Sequence, residues 1–227
     1  MKNLDLITFD TTNCEYLGVE DGIKMWETKQ GDLLALYLFD KKPDISASLD
    51  DLVELREFYR NSVTKGGLAV IEIDTIKIDS VKVVKTIFKA PQQPKGMIYI
   101  ASLTIPFQDF SYVVKLQAEE RGITGIRDNA IFHKMIESGK VIIKDEDDND
   151  DIEVIGWMRD PYDSTFKAQI MMNLSELEEY DKLFPDHPLS RARTTFPTII
   201  KTLKIDDSLK KFPVFKFDKK NPWWKVW

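Results

Sequence analysis

Residues 68–120 read LAVIEIDTIKIDSVKVVKTIFKAPQQPKGMIYIASLTIPFQDFSYVVKLQAEE, and this stretch decides the fold. Its four apolar, β-branched runs predict consecutive strands at Leu68–Ile78, Val81–Lys89, Met97–Ile105 and Phe110–Ala118. In the last run Phe110, Tyr112, Val114, Leu116 and Ala118 point one way, while Ser111, Val113, Lys115, Gln117 and Glu119 point the other. A period of two gives one buried and one wetter face, the mark of an antiparallel sheet. Asp79-Ser80 suits a tight turn and Pro91–Gly96 a longer hairpin loop. Pro106 ends the third strand, because proline has no N–H to donate into a ladder.

Upstream, Ile23–Thr28 and Leu33–Phe39 read as two strands joined through Lys29-Gln30-Gly31-Asp32, a turn of hairpin type. Ser48 offers an N-cap with Asp51 three residues on. Leu52, Leu55 and Tyr59 then recur near helical spacing until Gly66-Gly67, so a helix is expected over Leu49–Thr64. Downstream, Thr124 is the expected cap of a second helix, with Asp128 in its first turn and a stripe of Ile131, Phe132, Met135 and Ile136 ending at Gly139. Val141–Lys144 and Ile152–Met158 read as strands, Asn173–Leu183 and Leu189–Leu203 as helices. Pro197 predicts a kink or a late start in the last of these.

With 227 residues, 43% hydrophobic and 31% charged, the chain has ordinary globular usage. Residues 1–140 form the expected sheet core, and 141–227 a C-terminal strand-plus-helix extension packing on it. That extension carries an acidic loop at 145–151 and a tail with Trp223, Trp224 and Trp227. The net charge of −6 argues against a nucleic-acid partner. Cys14 is the only cysteine, which rules out an internal disulfide and is compatible with a reducing compartment. The N-terminus MKNLDLITFD is broken by acids and is no signal peptide. No run reaches the roughly eighteen apolar residues of a membrane helix, so a cytoplasmic protein is expected. Neither a Walker loop, GxGxxG, HExxH nor paired-cysteine spacing occurs, so no cofactor and no metal are expected.

The order strand-strand, helix, four strands, helix is similar to the PsbP-like superfamily. The residues that carry it are Leu33–Phe39, the helix at Leu49–Thr64, and Gly67-Leu68-Ala69-Val70 through Ile105 with Pro106-Phe107 behind. That superfamily includes a Ran-binding nuclear import factor and the bacterial DcrB-like proteins. The resemblance implies an α+β fold, a central antiparallel sheet flanked by helices as an α/β/α sandwich. It also implies protein binding rather than chemistry, some bacterial relatives being adaptors for secreted effectors. The segment after Gly139 departs from the pattern.

Glu119, Glu120, Arg121, Arg127 and Asp128 cluster around Gly122 and Gly125 at a strand-to-helix turn. They read as a pocket or recognition edge, since loops on a rigid scaffold often carry function; the plainer reading is a structural turn with surface ion pairs. Gly156-Trp157-Met158-Arg159-Asp160-Pro161-Tyr162-Asp163 mixes aromatics, arginine and acids as binding hot spots do, and equally as a strand end leading into a turn does. The acidic run, Asp147 and Asp148 included, can steer a basic partner. Asp147, Asn149 and Asp151 match three calcium-loop positions, but Ile152 stands where glycine is needed and Met158 where the bidentate glutamate belongs. Arg191 and Arg193 open the last helix as a candidate anion site, with a surface helix start as the plainer reading. Cys14, His133 and His187 show no nucleophile–base spacing; Cys14 is expected to be packed, and His133 to lie at a boundary.

These observations point to a non-enzymatic protein-binding module, an adaptor, chaperone or immunity-type protein. Its contacts would be Trp157, Arg159, Tyr162, Asp147, Asp148, Glu119 and Arg127, its partner another protein, with a homodimer as a further option. The alternative is an enzyme using Glu119, Glu120 and Arg127.

Overall fold

A computed structural model describes residues 2–145 and 152–217. Its elements run β1 (Ile7–Thr8), β2 (Cys14–Glu20), β3 (Ile23–Thr28), β4 (Leu33–Phe39), α1 (Leu52–Lys65), β5 (Ala69–Ile78), β6 (Val81–Pro91), β7 (Met97–Pro106) and β8 (Ser111–Glu119). There follow α2 (Ile126–Glu137), β9 (Ile142–Asp145), β10 (Ile152–Ile155), β11 (Met158–Arg159), β12 (Met172–Asn173), α3 (Pro188–Thr202) and β13 (Lys204–Ile205). Seven strands make one antiparallel sheet in the order β2-β3-β4-β8-β7-β6-β5. The fold class is α+β.

Register decides what each face buries. In β6 the neighbours Val83 and Val84 feed different cores. One core gathers Tyr112, Val114 and Leu116 of β8 with Leu189, Ala192, Phe196 and Ile199 of α3, all at 2% exposure or less. The spacing of three and four residues in α3 is one helical face laid on the sheet. The other core sets Leu55 of α1 against Val70, Ile73 and Val84, with Phe215 returning from the C-terminal side. α1 and α3 therefore cover opposite faces. Each fully buried Leu, Ile or Phe contributes about 1.5–3 kcal/mol over an exposed one. No helix among the described residues is long and apolar enough to cross a membrane.

Several boundaries differ from the sequence expectation for identifiable reasons. α1 begins at Leu52 because Asp51, not Ser48, accepts the Glu54 N–H at 3.0 Å. α2 is capped by Gly125 in the left-handed region (φ 75°), not by Thr124. The expected strand Ile152–Met158 breaks at Gly156, where φ is +87° and a Cβ would stand 2.6 Å from the Lys140 carbonyl oxygen. Asn173–Leu183 is not an α-helix but two 3-10 turns, Leu174–Glu176 and Glu178–Tyr180. Asn173 and Glu176 form a capping box there, with the Glu176 side chain turned into the core. Pro197 lies inside α3, which starts at Pro188, so there is no late start. The edge strand β2 was not anticipated: nearly every residue in it is at least partly exposed, so it shows no clear alternation. Asp147, Asp148, the calcium-like spacing and the three tail tryptophans lie outside the described residues.

Candidate functional site

Between the sheet and α3 lies a layer of buried ionisable groups. Lys89 of β6 and Glu176 pair at 2.9 Å, and Tyr99 of β7 donates to the other Glu176 oxygen at 2.5 Å. Burial, and then the Glu176 charge, push the Tyr99 hydroxyl well above its ordinary pKa. Arg127, 1% exposed, is held on four acceptors: the Ser175 and Leu177 carbonyls, the Ser190 hydroxyl and the Asp181 carboxylate. Arg191 of α3 forks onto Asp32 in the β3–β4 turn through Nε and Nη2, at 2.9 and 2.7 Å. Arg193 bonds the Glu176 carbonyl and Asp181. Asp128 accepts from the Ser175 hydroxyl and from Asn173. Each of these charged groups thus has an intramolecular partner, as groups out of water require.

Beside this layer lies an opening to solvent. There the β8–α2 turn and the N-terminus of α3 enclose a cleft of ≈ 260 Å³. Its exposed members are the aliphatics Ile123 (78%), Ile126 (54%) and Leu183 (63%) together with Arg121, Pro185 and Asp186, with Phe184 and Pro188 between them. Its buried members include Arg127 as well as Glu120 and His187, the last two with side chains 10% and 7% exposed. Glu120 is tied to the turn, one oxygen accepting from Met97 N (2.8 Å) and the other from Gly125 N (3.0 Å). His187 caps α3, its Nδ1 accepting the Leu189 N–H at 3.3 Å. Burial, followed by the nearby charges of Arg127, Arg191, Lys89 and Arg193, holds its pKa down to about 3. The ring is therefore neutral at pH 7 with its proton on Nε2. Glu120 Oε1 lies 3.8 Å from Nε2, too far for a hydrogen bond.

The residues singled out in sequence divide. Glu120, Arg121 and Arg127 do line this cleft. Glu119 lies beside it, its carbonyl accepting from Arg191. Trp157 is elsewhere, packed edge-on against Phe132 of α2 at 5.0 Å. Arg159 is exposed in β11. Tyr162 lies under the Arg56 guanidinium, its hydroxyl bonded to both Ile73 N and Ile73 O, where it closes the β5 edge of the sheet. Trp157, Arg159 and Tyr162 each meet different partners and form no single cluster. Arg191 and Arg193 are engaged internally rather than offered to an anion. Cys14 is only partly buried, and His133 is exposed on α2. Lys89, Tyr99, Asp181 and Ser190 were not foreseen; Lys89, as one lysine in a run of strand residues, carried no local signal. Among the described residues no three His, Cys, Asp or Glu side chains gather to hold a metal ion. Compared with models of known protein families and with curated proteins, the chain matches none of them.

Proposed function

We propose that the chain is a non-enzymatic protein-binding module, an adaptor, chaperone or immunity-type protein, that grips its partner at the cleft between the β8–α2 turn and α3. The observation that carries this is the contrast within one site. Three exposed aliphatic side chains, Ile123, Ile126 and Leu183, ring an opening at which Glu120 and Arg127 are already bonded within the chain. Clustered exposed aliphatics mark interaction surfaces. A catalytic reading of Glu119, Glu120 and Arg127 needs groups free to meet a substrate. Instead Glu120 fixes a turn and Arg127 is saturated by four acceptors. The resemblance to PsbP-like proteins, with the α/β/α sandwich it implies, supports the same reading.

The test is site-specific photo-crosslinking in the native host, with a benzophenone side chain at Ile123 and, as control, at Val53, which is 75% exposed on α1. A discrete adduct from position 123 alone, lost when Leu183→Glu is added and reconstituted with the purified partner, is the expected result. No adduct, or the same adducts from both positions, would overturn the proposal.

A further inference from the structure

The two edges of the seven-stranded sheet are finished differently. On β5 the Tyr162 hydroxyl takes the Ile73 N–H and carbonyl, and Arg56 Nε reaches the same carbonyl. On β2, the opposite edge, residues 15–20 bond nothing but β3 among the described residues. The strand runs seven residues without the lysine or proline that commonly guards an edge. It exposes Tyr16 (55%), Leu17 (50%) and Val19 (56%).

Register sorts its side chains into two unlike rows. Tyr16 stands opposite Trp26 and Val19 opposite Lys24, the bulge at Leu17 bringing both to one face. Beside Tyr16 is a hollow of ≈ 430 Å³ lined by Ile7, Phe9, Tyr16 and Trp26, with Thr8, Thr11 and Lys24. Trp26 meets Phe9 edge-on at 5.4 Å and Tyr16 at 6.0 Å. Lys24, paired with Asp5, stands 5.8 Å from the Trp26 ring. On the other face Glu15 lies directly opposite Glu27, with Glu20 opposite Ile23 at the turn. Like charges so opposed weaken a ladder. Glu15, Glu20 and Glu27 have no partner among the described residues. From Cys14 to Thr28 the hairpin holds four acids, Glu15, Glu20, Asp21 and Glu27, against the one lysine, Lys24. Lys29, in the next turn, is bonded to Asn13. Lys115, on the face of Glu27, lies three strands in, over the Tyr37 ring.

We infer that β2 accepts an added strand from a partner protein, an extended segment in which basic side chains alternate with aromatic or aliphatic ones. Its basic side chains meet Glu15, Glu20 and Glu27 and relieve their repulsion. Its apolar side chains lie along Tyr16 and Val19, one of them entering the hollow at Trp26. Lys24 repels a basic side chain from that hollow, so the two rows of the added strand cannot be exchanged. Main-chain hydrogen bonds supply the attachment and the two rows supply the choice of sequence. A second copy of this chain fits poorly. β2 laid antiparallel on β2 brings Glu15 and Glu20 of each chain together, with no lysine in either strand. The surface shares no residue with the cleft between the β8–α2 turn and α3.

Backbone-amide NMR and hydrogen exchange on the full chain test this with four blocked hexapeptides. One alternates lysine with phenylalanine. The second groups the same lysines ahead of the phenylalanines, the third alternates glutamate with phenylalanine, and the fourth is the first with its internal amides N-methylated. The first should shift the amides of β2 and the Trp26 indole, and slow exchange along β2. Grouping or N-methylation should weaken binding at least about fivefold, since strand addition needs both the alternation and the main-chain bonds. The glutamate peptide should not bind. Glu15→Gln with Glu27→Gln, both at exposed positions, should weaken the first peptide by about fivefold. The inference is overturned if the grouped, N-methylated or glutamate peptide binds as tightly as the first, if the double variant binds it unchanged, or if no peptide shifts β2 at millimolar concentration. Slow exchange of the outward β2 amides in the free chain would also overturn it, showing the edge already covered by a second copy or by residues 218–227. The crosslink at position 123 reports on the cleft separately, so either proposal can fail alone.

Discussion

The Lys89 ammonium and the Glu176 carboxylate, 87 residues apart in the chain, meet at 2.9 Å with 4% and 0% of their side chains exposed. Glu176 is otherwise held by Tyr99 and by the Asn173 N–H. A charge so placed is tolerated only while its partner stays, so the pair fastens the 174–176 turn to the underside of the sheet. Lys89→Met alone should cost about 3–5 kcal/mol, because it leaves Glu176 charged and buried. Lys89→Met with Glu176→Met should cost clearly less than the two single changes summed. Urea unfolding of the three variants gives the coupling.

His187 predicts a direction for acid sensitivity. The unfolded imidazole takes up a proton near pH 6.5 and the folded one only near pH 3. Between those values the unfolded state binds more protons, so stability rises with pH through the window and is complete above it. At pH 5 the folded state should have lost about 2 kcal/mol through this group. His187→Asn keeps an acceptor for the Leu189 N–H and removes the titration. Its unfolding free energy should fall less steeply than that of the parent between pH 6.5 and pH 4.

Arg127 bonds four acceptors through its three guanidinium nitrogens. Lysine keeps the charge but has no fork to span the Ser175 and Leu177 carbonyls. Arg127→Lys should therefore be nearly as destabilising as Arg127→Ala, by about 3 kcal/mol or more. Thermal unfolding of both variants separates geometry from charge, and a stable lysine variant would show that charge alone suffices.

Tyr162 is a guard on a sheet edge. Its hydroxyl accepts the Ile73 N–H, which would otherwise be open to pairing, and donates to the Ile73 carbonyl, which Arg56 Nε also reaches. Tyr162→Phe should cost about 1 kcal/mol. It should also speed hydrogen exchange at the Ile73 amide, with amides in β7 unchanged.

How much of this was legible in sequence followed from how local each cause is. The strands through Phe110–Ala118 were plain because alternation between adjacent residues encodes the buried face, and β8 buries Tyr112, Val114, Leu116 and Ala118 completely. β2 was not, since a sheet edge leaves most of its side chains in water. The stretch Asn173–Leu183 has helical composition. However, the inward pull of Lys89 and Tyr99 on Glu176 comes from strands far upstream and cannot be seen in a local window. The same holds for the cleft. Glu120 and Arg127 stood out around their glycines, whereas His187 joins them only after 60 residues of chain have folded back.

The placement of α3 has a consequence for synthesis. The helix that roofs Tyr112, Val114 and Leu116 comes more than 70 residues after them, and it also brings Arg191 back to Asp32. A growing chain leaving the ribosome presents a finished sheet with one bare oily side for as long as the missing residues take to arrive, on the order of 5–20 seconds at 5–20 residues per second. Prematurely terminated products stop in that state, sticky and carrying a lysine with no counter-ion, and quality-control proteases would meet them as substrates.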